Sequence, residues 1–260
     1  MGRTFVFVNQ KGGVGKTTSA INLGAYLAEA GKSVLLIDFD SQANLTSGVG
    51  VKQEKNGVYE VLAGAVPIHK AIQKTACGNL FVLPASIDLS GVTVELIGKD
   101  KSDFFLKEAL DTVRGDYDYL LIDCPPSIGV LTLNGLVAAD SVLIPMQCEY
   151  FALEGLASLL QTIQRIKHHK NPNLTIEGIF FTMFDQRTRL AQQVVKQVGI
   201  YFKDHIYSTI IPRNVRLSEA PSHGLPISKY DPNCAGALAY KSLCNEILQK
   251  EAPVWQKNSV

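Results

Sequence analysis

A glycine-rich segment near the N-terminus has the residue types of a phosphate-binding loop. Residues 10–18 read Gln-Lys-Gly-Gly-Val-Gly-Lys-Thr-Thr, and Gly15, Lys16 and Thr17 satisfy the G-K-[ST] end of the nucleotide-binding pattern. Glycines let backbone N–H groups turn toward phosphate oxygens, and the dipole of a following helix adds positive potential. The segment therefore predicts a phosphate site built from Gly12, Gly13, Val14, Gly15, Lys16, Thr17 and Thr18.

The side chains of this loop divide the chemistry among them. Lys16 is suited to neutralise β- and γ-phosphate oxygens, the Thr17 hydroxyl to ligate Mg²⁺, and Thr18 to contact the α-phosphate. The competing interpretation is a plain strand-to-helix connection, which would require neither the lysine nor the hydroxyl. One feature departs from the ordinary pattern: Gln10 stands where glycine is expected, and an additional lysine, Lys11, begins the glycine run.

Two further segments place carboxylates directly after apolar runs. Residues 35–42 read Leu-Leu-Ile-Asp-Phe-Asp-Ser-Gln, so Asp38 and Asp40 fall on the same face of a strand, and Asp123 ends the run 119–123. The carboxyl ends of parallel strands border the ligand crevice of an α/β sheet. We expect Asp123 to hold Mg²⁺ through water and Asp40 to orient or activate the attacking water, with Asp40 a second residue near the metal. Taken alone, each aspartate could equally be a turn or cap residue.

Short apolar, β-branched runs alternate with amphipathic stretches along the chain. The helical spacing of apolar residues predicts helices at 17–30 and 153–166. Near-continuous apolar strands indicate a sheet covered on both faces. The order predicts an α/β fold with a single doubly wound, mostly parallel sheet flanked by helices, of the P-loop type. The predicted strands are 4–8, 33–37, 80–83, 119–122, 141–145, 176–183 and 205–210.

Composition excludes several classes of protein. The chain has 260 residues, 46% of them hydrophobic, and a net charge of +1, which excludes fibrous, disordered and strongly basic proteins. The charge is uneven, however, because residues 161–216 hold nine Lys and Arg against three acids, a net charge of +6. This segment is either a local patch that binds nucleic acid or a solvated helix face.

Other features bear on location and domain organisation. Five cysteines, an odd number without C-x2-C spacing, argue against a disulfide framework or a zinc site and favour the cytoplasm. We find no signal peptide and no membrane span. No linker divides the chain, so we expect one domain over residues 1–249 and a flexible tail over 250–260. Trp255 in that tail lacks the apolar neighbours of a membrane-surface helix.

Four segments of the chain form a characteristic set of motifs: 11–18 (Lys-Gly-Gly-Val-Gly-Lys-Thr-Thr), 38–44 (Asp-Phe-Asp-Ser-Gln-Ala-Asn), 121–127 (Leu-Ile-Asp-Cys-Pro-Pro-Ser) and 211–222 (Ile-Pro-Arg-Asn-Val-Arg-Leu-Ser-Glu-Ala-Pro-Ser). Together they resemble the ParA/Soj (MinD-related) family of ATPases, whose phosphate loop is a deviant Walker A motif. The likeness extends over roughly residues 3–249. Ser41 stands where the family usually has proline, a departure outside the catalytic positions.

The resemblance implies an enzyme that hydrolyses ATP with Mg²⁺ inside a sandwich homodimer. In such a dimer Lys11 crosses to the partner's nucleotide, which accounts for the second lysine, and Gly12 lies where the two backbones meet. Lys11, Lys16 and Asp40 would be the catalytic residues. The weak turnover expected of one protein alone would be stimulated by a partner.

The resemblance also implies contacts outside the phosphate loop. The family's adenine contacts fall on Pro212 and Asn214, and its DNA contacts on Arg187 and Arg216. The ATP dimer would bind double-stranded DNA without sequence preference and associate with the nucleoid. A ParB/Spo0J-like partner would release it, so the function would be DNA partition, in chromosome segregation.

Other classes of protein stay open at this stage. A MinD-like positioning ATPase would act at a membrane or on another cargo and need an amphipathic anchor. A reductase resembling an iron protein would need paired interface cysteines, and a small-molecule kinase an acceptor pocket and a lid. A nucleotide-gated adaptor without turnover is the fourth alternative.

Overall fold

The structure is a computed structural model that describes residues 2–52, 56–96 and 101–251. Within these ranges, seven strands form one sheet in the order β3-β4-β2-β5-β1-β6-β7, and every pair is parallel except β3 with β4. The strands are β1 Arg3–Phe7, β2 Val34–Asp38, β3 Gln73–Lys74, β4 Leu80–Leu83, β5 Tyr119–Asp123, β6 Ser141–Gln147 and β7 Thr175–Thr182.

Helices connect these strands and cover the sheet. The two long predicted helices are present, shifted by one to three residues at their ends. In the described part of the chain, the α-helices are α1 Lys16–Glu29, α2 Asn44–Gly48, α3 Val58–Leu62, α4 Ile68–Ala71, α5 Leu89–Leu96, α6 Phe105–Asp111, α7 Val130–Ala138, α8 Ala152–His169, α9 Arg189–Phe202, α10 Val215–Glu219, α11 Ile227–Tyr230 and α12 Ala235–Glu251.

Alternation along the strands divides the core into two apolar layers. In β1, Phe5 and Phe7 pack with α1 and α12 on one face, while Val6 packs with α7 and α8 on the other. All three side chains are fully buried, as expected for a parallel sheet that helices cover on both faces. The predicted doubly wound α/β fold is therefore confirmed.

The seventh predicted strand, at 205–210, is wrong. Residues 203–205 form a 3₁₀ helix, and the chain then touches β7 only at isolated points, where the Tyr207 N–H donates to the Ile179 carbonyl at 2.9 Å. Between these points the N–H groups of Ser208 and Thr209 donate to the carboxylate of Glu246, at 2.9 and 2.7 Å. A side chain of α12 thus takes the hydrogen bonds that a strand would have made.

The predicted C-terminal tail overlaps the last helix. α12 extends to Glu251, so the first two residues of the expected tail, 250–260, are helical. The remainder, with Trp255, lies outside the described residues. No helix in the described ranges is long and apolar enough to cross a membrane.

Candidate functional site

The candidate site lies where the carboxyl ends of the central strands meet. Strand register sets Phe7 of β1 and Asp38 of β2 on either side of Asp123 of β5. A cavity of about 870 Å³ opens there. Its lining combines glycines of the loop, the carboxylate of Asp40 and most of the segment 211–218, which lie far apart in the sequence. The site therefore occupies the crevice expected for a ligand in an open α/β sheet.

The phosphate loop joins β1 to α1 through backbone conformations that favour glycine. Gly13 and Gly15 have φ angles of 73° and 89°, in the left-handed region where a side chain would be strained. The Thr182 hydroxyl at the end of β7 donates to the Val14 carbonyl at 2.8 Å, which fixes the loop from beside. The N-terminus of a 14-residue helix thus faces the cavity, ready for an anion.

Lys16 is built into the loop. Only 7% of it is exposed, and its Nζ donates to the carbonyl oxygens of Asn9 at 3.1 Å and Lys11 at 3.2 Å. Burial lowers the pKa of Lys16, while the nearby Asp123 carboxylate opposes that shift. The ammonium group is therefore held against the backbone of its own loop, where the sequence predicts a phosphate site.

Lys11 has the opposite environment. Its side chain is 49% exposed and forms an ion pair with Glu149, just before α8. Neighbouring Gly12 shows no internal reason to be glycine, because an added Cβ would make only an ordinary contact with Pro126 at 3.7 Å. The two lysines of the loop thus have different surroundings: Lys16 is buried, and Lys11 is half exposed and paired with Glu149.

The two aspartates of residues 38–40 have different environments, although strand alternation predicts one face for both. β2 ends at Asp38, and its buried carboxylate accepts the N–H and hydroxyl of Thr46 at 2.8 and 2.6 Å. Burial, the largest cause, raises the pKa of Asp38 to about 6. Asp40 lines the cavity, and one of its carboxylate oxygens accepts the Gln42 N–H at 3.0 Å. Asp38 thus holds the start of α2, and Asp40 lines the cavity.

Asp123 is a buried carboxylate whose environment would suit a bound cation. It is 1% exposed, and its Oδ1 has no hydrogen-bond partner among the described residues. Burial first, and then the charge of Asp38, raise its pKa to about 8, while a hydrogen bond from Thr17 opposes that shift. A divalent ion between carboxylate and phosphate would satisfy this oxygen. Thr17 and Asp123 therefore fit the predicted Mg²⁺ site.

The described part of the chain contains no cluster of three or more His, Cys, Asp or Glu able to hold a metal. This does not conflict with the magnesium assignment. Mg²⁺ is commonly held by one or two carboxylates together with substrate phosphates, so a site made by Thr17, Asp123 and a nucleotide needs no such cluster.

Replacing Asp123 with asparagine should stabilise the nucleotide-free chain at high pH. A folded pKa of about 8 means that the native state keeps a proton that the unfolded state has lost, so stability falls as pH rises from about 4 to 8. At pH 8 we expect the Tm of Asp123→Asn to exceed that of wild type by about 3 °C or more. Thermal melts from pH 5 to 8.5, without nucleotide, measure this difference.

Magnesium provides the control for this variant. Wild type should gain more in Tm from ADP with Mg²⁺ than from ADP with EDTA, whereas the variant should gain equally from both. A variant no more stable than wild type at pH 8, or one that keeps its magnesium response, would contradict the assignment.

The segment expected to contact adenine forms the far wall of the cavity. Pro212, Asn214 and Met183 line it, and Phe184 ties the wall to β7 because its N–H donates to the Ile211 carbonyl at 3.1 Å. The Asn214 side-chain oxygen accepts the N–H of Arg216 at 2.9 Å and caps α10. Met183 has a φ of 47°, a strained value for a bulky residue that the sequence did not signal.

The two arginines expected to contact DNA flank this wall. Arg187 lies in the turn after β7 with its side chain 85% exposed, and Arg216 lies in α10 with 50% exposed. Each guanidinium is paired with an acid on its own chain, Asp185 and Glu219 respectively. Composition alone gave no indication of these pairs. Tyr240, which also lines the cavity, was missed because α12 is distant in sequence.

The site defines a P-loop nucleotide-binding protein. Its strand–loop–helix unit carries a buried lysine and a helix N-terminus, and a buried carboxylate at the end of β5 lies beside them. A family model described as an AAA domain matches residues 2–176. The chromosome-partitioning ATPase Soj of Treponema pallidum is 61% identical over 251 residues, covering 96% of this chain and 99% of its own. The sporulation initiation inhibitor protein Soj of Bacillus subtilis is 51% identical, with 95% and 98% covered.

A solved structure agrees over nearly the whole chain. Cobyrinic acid a,c-diamide synthase from Mycobacterium smegmatis, solved with an ATP analogue and magnesium, has a TM-score of 0.86 at 37% identity, covering 96% of this chain and 95% of its own. The chain belongs to the Soj/ParA family of chromosome-partitioning ATPases. The family resemblance drawn from the motifs is thereby confirmed.

Proposed function

We propose that this protein is a DNA-partition ATPase that binds ATP with Mg²⁺, pairs face to face with a second copy and holds DNA in that state. The contrast between the two loop lysines carries the proposal. Lys16 is buried on its own loop, whereas Lys11 is half exposed and paired with Glu149. A second positive charge beside a nucleotide site, held at the surface by one half-exposed acid, suits the phosphates of a partner's nucleotide.

Hydrolysis would follow from the positions of the chain's own groups. Lys16 and the loop N–H groups hold the β- and γ-phosphates, and Lys11 of the second copy adds charge where it develops. Asp40 orients a water molecule and accepts its proton as the water oxygen bonds to the γ-phosphorus. The bond to the β-phosphate oxygen then breaks, and ADP leaves with that oxygen. Bound Mg²⁺ neutralises charge on the phosphate oxygens.

DNA binding would use the uneven charge of residues 161–216. Eight of their nine basic residues are exposed, and α8 contacts α9, which brings several of them onto neighbouring helices. Non-specific binding to DNA arises from such charges and depends steeply on salt. The eight exposed residues are Arg165, Lys167, Arg187, Arg189, Lys196, Lys203, Arg213 and Arg216.

The proposed cycle also includes a protein partner and the release of DNA. A ParB/Spo0J-like partner stimulates turnover, DNA is released when the dimer separates, and the protein occupies the cytoplasm and the nucleoid. Residues 1–249 act as one ATPase domain. The name of the Mycobacterium structure belongs to that protein at 37% identity. The chromosome-partitioning ATPase Soj of Treponema pallidum, at 61% identity, supports the present proposal more strongly.

Removing either arginine should weaken DNA binding in the ATP state. We expect Arg187→Ala or Arg216→Ala to reduce the slope of log affinity against log salt by up to about 0.9 per chain, or about 1.8 per dimer. Gel shifts of an arbitrary duplex at several salt concentrations measure the slope, and ATP turnover without DNA is the control for intact folding.

Two results would contradict DNA binding through Arg187 and Arg216. Wild-type affinity and slope in both variants would remove these arginines from the DNA surface. ATP-dependent flotation of wild type with liposomes, without any shift of DNA, would favour the positioning ATPase instead.

A further inference from the structure

Arg187, which the proposed function assigns to DNA, is already occupied by a carboxylate of its own chain. Its Nε and Nη2 donate to the two oxygens of Asp185, at 2.9 and 2.6 Å, and its backbone N–H donates to the same group at 3.0 Å. This bidentate pairing is the geometry in which a guanidinium would bind a phosphate. The pKa of Asp185 falls to about 2 because of these hydrogen bonds.

Arg216, in α10, is also paired with acids of its own chain, but with two different carboxylates. Its Nη1 donates to Oε2 of Glu219 at 2.9 Å, and its Nε lies 3.5 Å from Oδ2 of Asp231. Tyr230 fixes the Glu219 carboxylate in place, since its hydroxyl donates to the same oxygen at 3.1 Å. Both arginines expected to contact DNA are thus paired with an acidic side chain of the same chain, although residues 161–216 have a net positive charge.

We propose that Asp185 and Glu219 act as internal counter-charges that weaken DNA binding by a single chain, so that stable binding requires two. This inference rests on the proposed DNA-binding function and concerns its regulation. A DNA phosphate that takes the guanidinium must leave the carboxylate unpaired beside a polyanion. The freed carboxylate then attracts a cation, which offsets part of the counterion release that favours binding.

The consequence differs between one chain and two. A single chain offers Arg187 and Arg216 with reduced effective charge, so its affinity at moderate salt is low. A dimer offers both pairs on one body, and the second set of contacts forms intramolecularly at high effective concentration. The counter-charges therefore sharpen the difference between the nucleotide states without any change of fold.

The test neutralises the acids and keeps their shape. Asp185→Asn retains the oxygen that accepts the Arg187 N–H, and Glu219→Gln retains an acceptor for Tyr230. The matched control is Asp116→Asn, which changes net charge equally and lies outside residues 161–216. Asp116 is exposed and precedes β5 at the amino end of the parallel strands, whereas Arg187 follows β7 at their carboxyl end. β7 has eight residues and is about 26 Å long, so Asp116 is farther from Arg187 than the Debye length of about 10 Å.

Affinity for a fluorescent duplex is measured by anisotropy with ATP and with ADP, from about 50 to 300 mM salt. We expect each variant to bind about 3- to 10-fold more tightly near 100 mM salt with ATP, with a slope steeper by up to about 0.9 per chain. The double variant should bind measurably with ADP, whereas wild type and Asp116→Asn should not. With ATP, the affinity of Asp116→Asn should stay within about twofold of that of wild type.

Two outcomes would overturn the inference: variants that match Asp116→Asn in affinity and slope, or variants that bind DNA more weakly than it does. The arginine variants test the proposed DNA-binding function separately. If Arg187→Ala and Arg216→Ala weaken DNA binding while the acid variants behave like the control, the DNA surface stands and the counter-charges fail. If the arginine variants also bind normally, the DNA surface itself fails.

Discussion

Replacing Lys16 with alanine is expected to abolish nucleotide binding. The Nζ of Lys16 is the buried cation of the phosphate loop, and it also donates to the carbonyl oxygens of Asn9 and Lys11. Its loss removes charge-assisted bonds to phosphate and leaves those carbonyls without their donor. We expect affinity for ATP to fall at least about 100-fold, close to 3 kcal/mol. Titration calorimetry with ATP and Mg²⁺ measures the loss.

Lys11→Ala is the matched control, because it removes the other lysine of the same loop. Lys11 is half exposed and paired with Glu149, so a single chain lacking it should bind ATP within about threefold of wild type. It should fail instead at the later step, with no dimer in ATP by light scattering and no retention on DNA. Equal losses of ATP affinity in both variants would contradict the division of roles between the lysines.

The second large effect is expected from Asp40→Ala, which should trap the ATP dimer on DNA. Asp40 lines the cavity beside the phosphate loop, where no other carboxylate of residues 38–44 reaches it, since Asp38 is bound to Thr46. Loss of a group that accepts a proton slows chemistry by about 10²- to 10⁴-fold. Binding is spared, so the ATP state persists and DNA dissociation slows accordingly.

Retention on DNA after dilution into excess competitor, together with phosphate release, measures this effect. Asp40→Asn serves as the structural control, because its oxygen keeps the bond from the Gln42 N–H but is a poor base. It should be trapped as well. Adding Lys11→Ala to Asp40→Ala should abolish trapping. If Asp40→Ala binds DNA no better than wild type in ATP, the proposed order of dimerisation before hydrolysis is wrong.

The phosphate loop could be read from the sequence because its determinants are local. Gly13, Gly15, Lys16 and Thr17 lie within one strand–loop–helix unit, and the backbone angles and the buried Nζ agree with the pattern. Asp123 was predictable for a similar reason, since a carboxylate that ends an apolar parallel strand must lie at the crevice.

The predicted strand at 205–210 is wrong because a contact from a distant segment overrode local pattern. The run has strand-forming residues, but Glu246 of α12 accepts two of its N–H groups. Strand alternation also did not indicate that β2 ends at Asp38 or that Thr46 binds its carboxylate. In both places a side chain from another element makes the hydrogen bonds.

The sequence by itself determined the layered α/β fold, the phosphate loop and its two lysines, because periodicity and short-range spacing are properties of neighbouring residues. Only the tertiary structure decided what surrounds each charge. It buried Lys16, left Lys11 exposed, left one oxygen of Asp123 without a partner, and paired Arg187 and Arg216 with acids. Burial and pairing depend on groups brought together from distant parts of the chain, and they decide what each charge can bind.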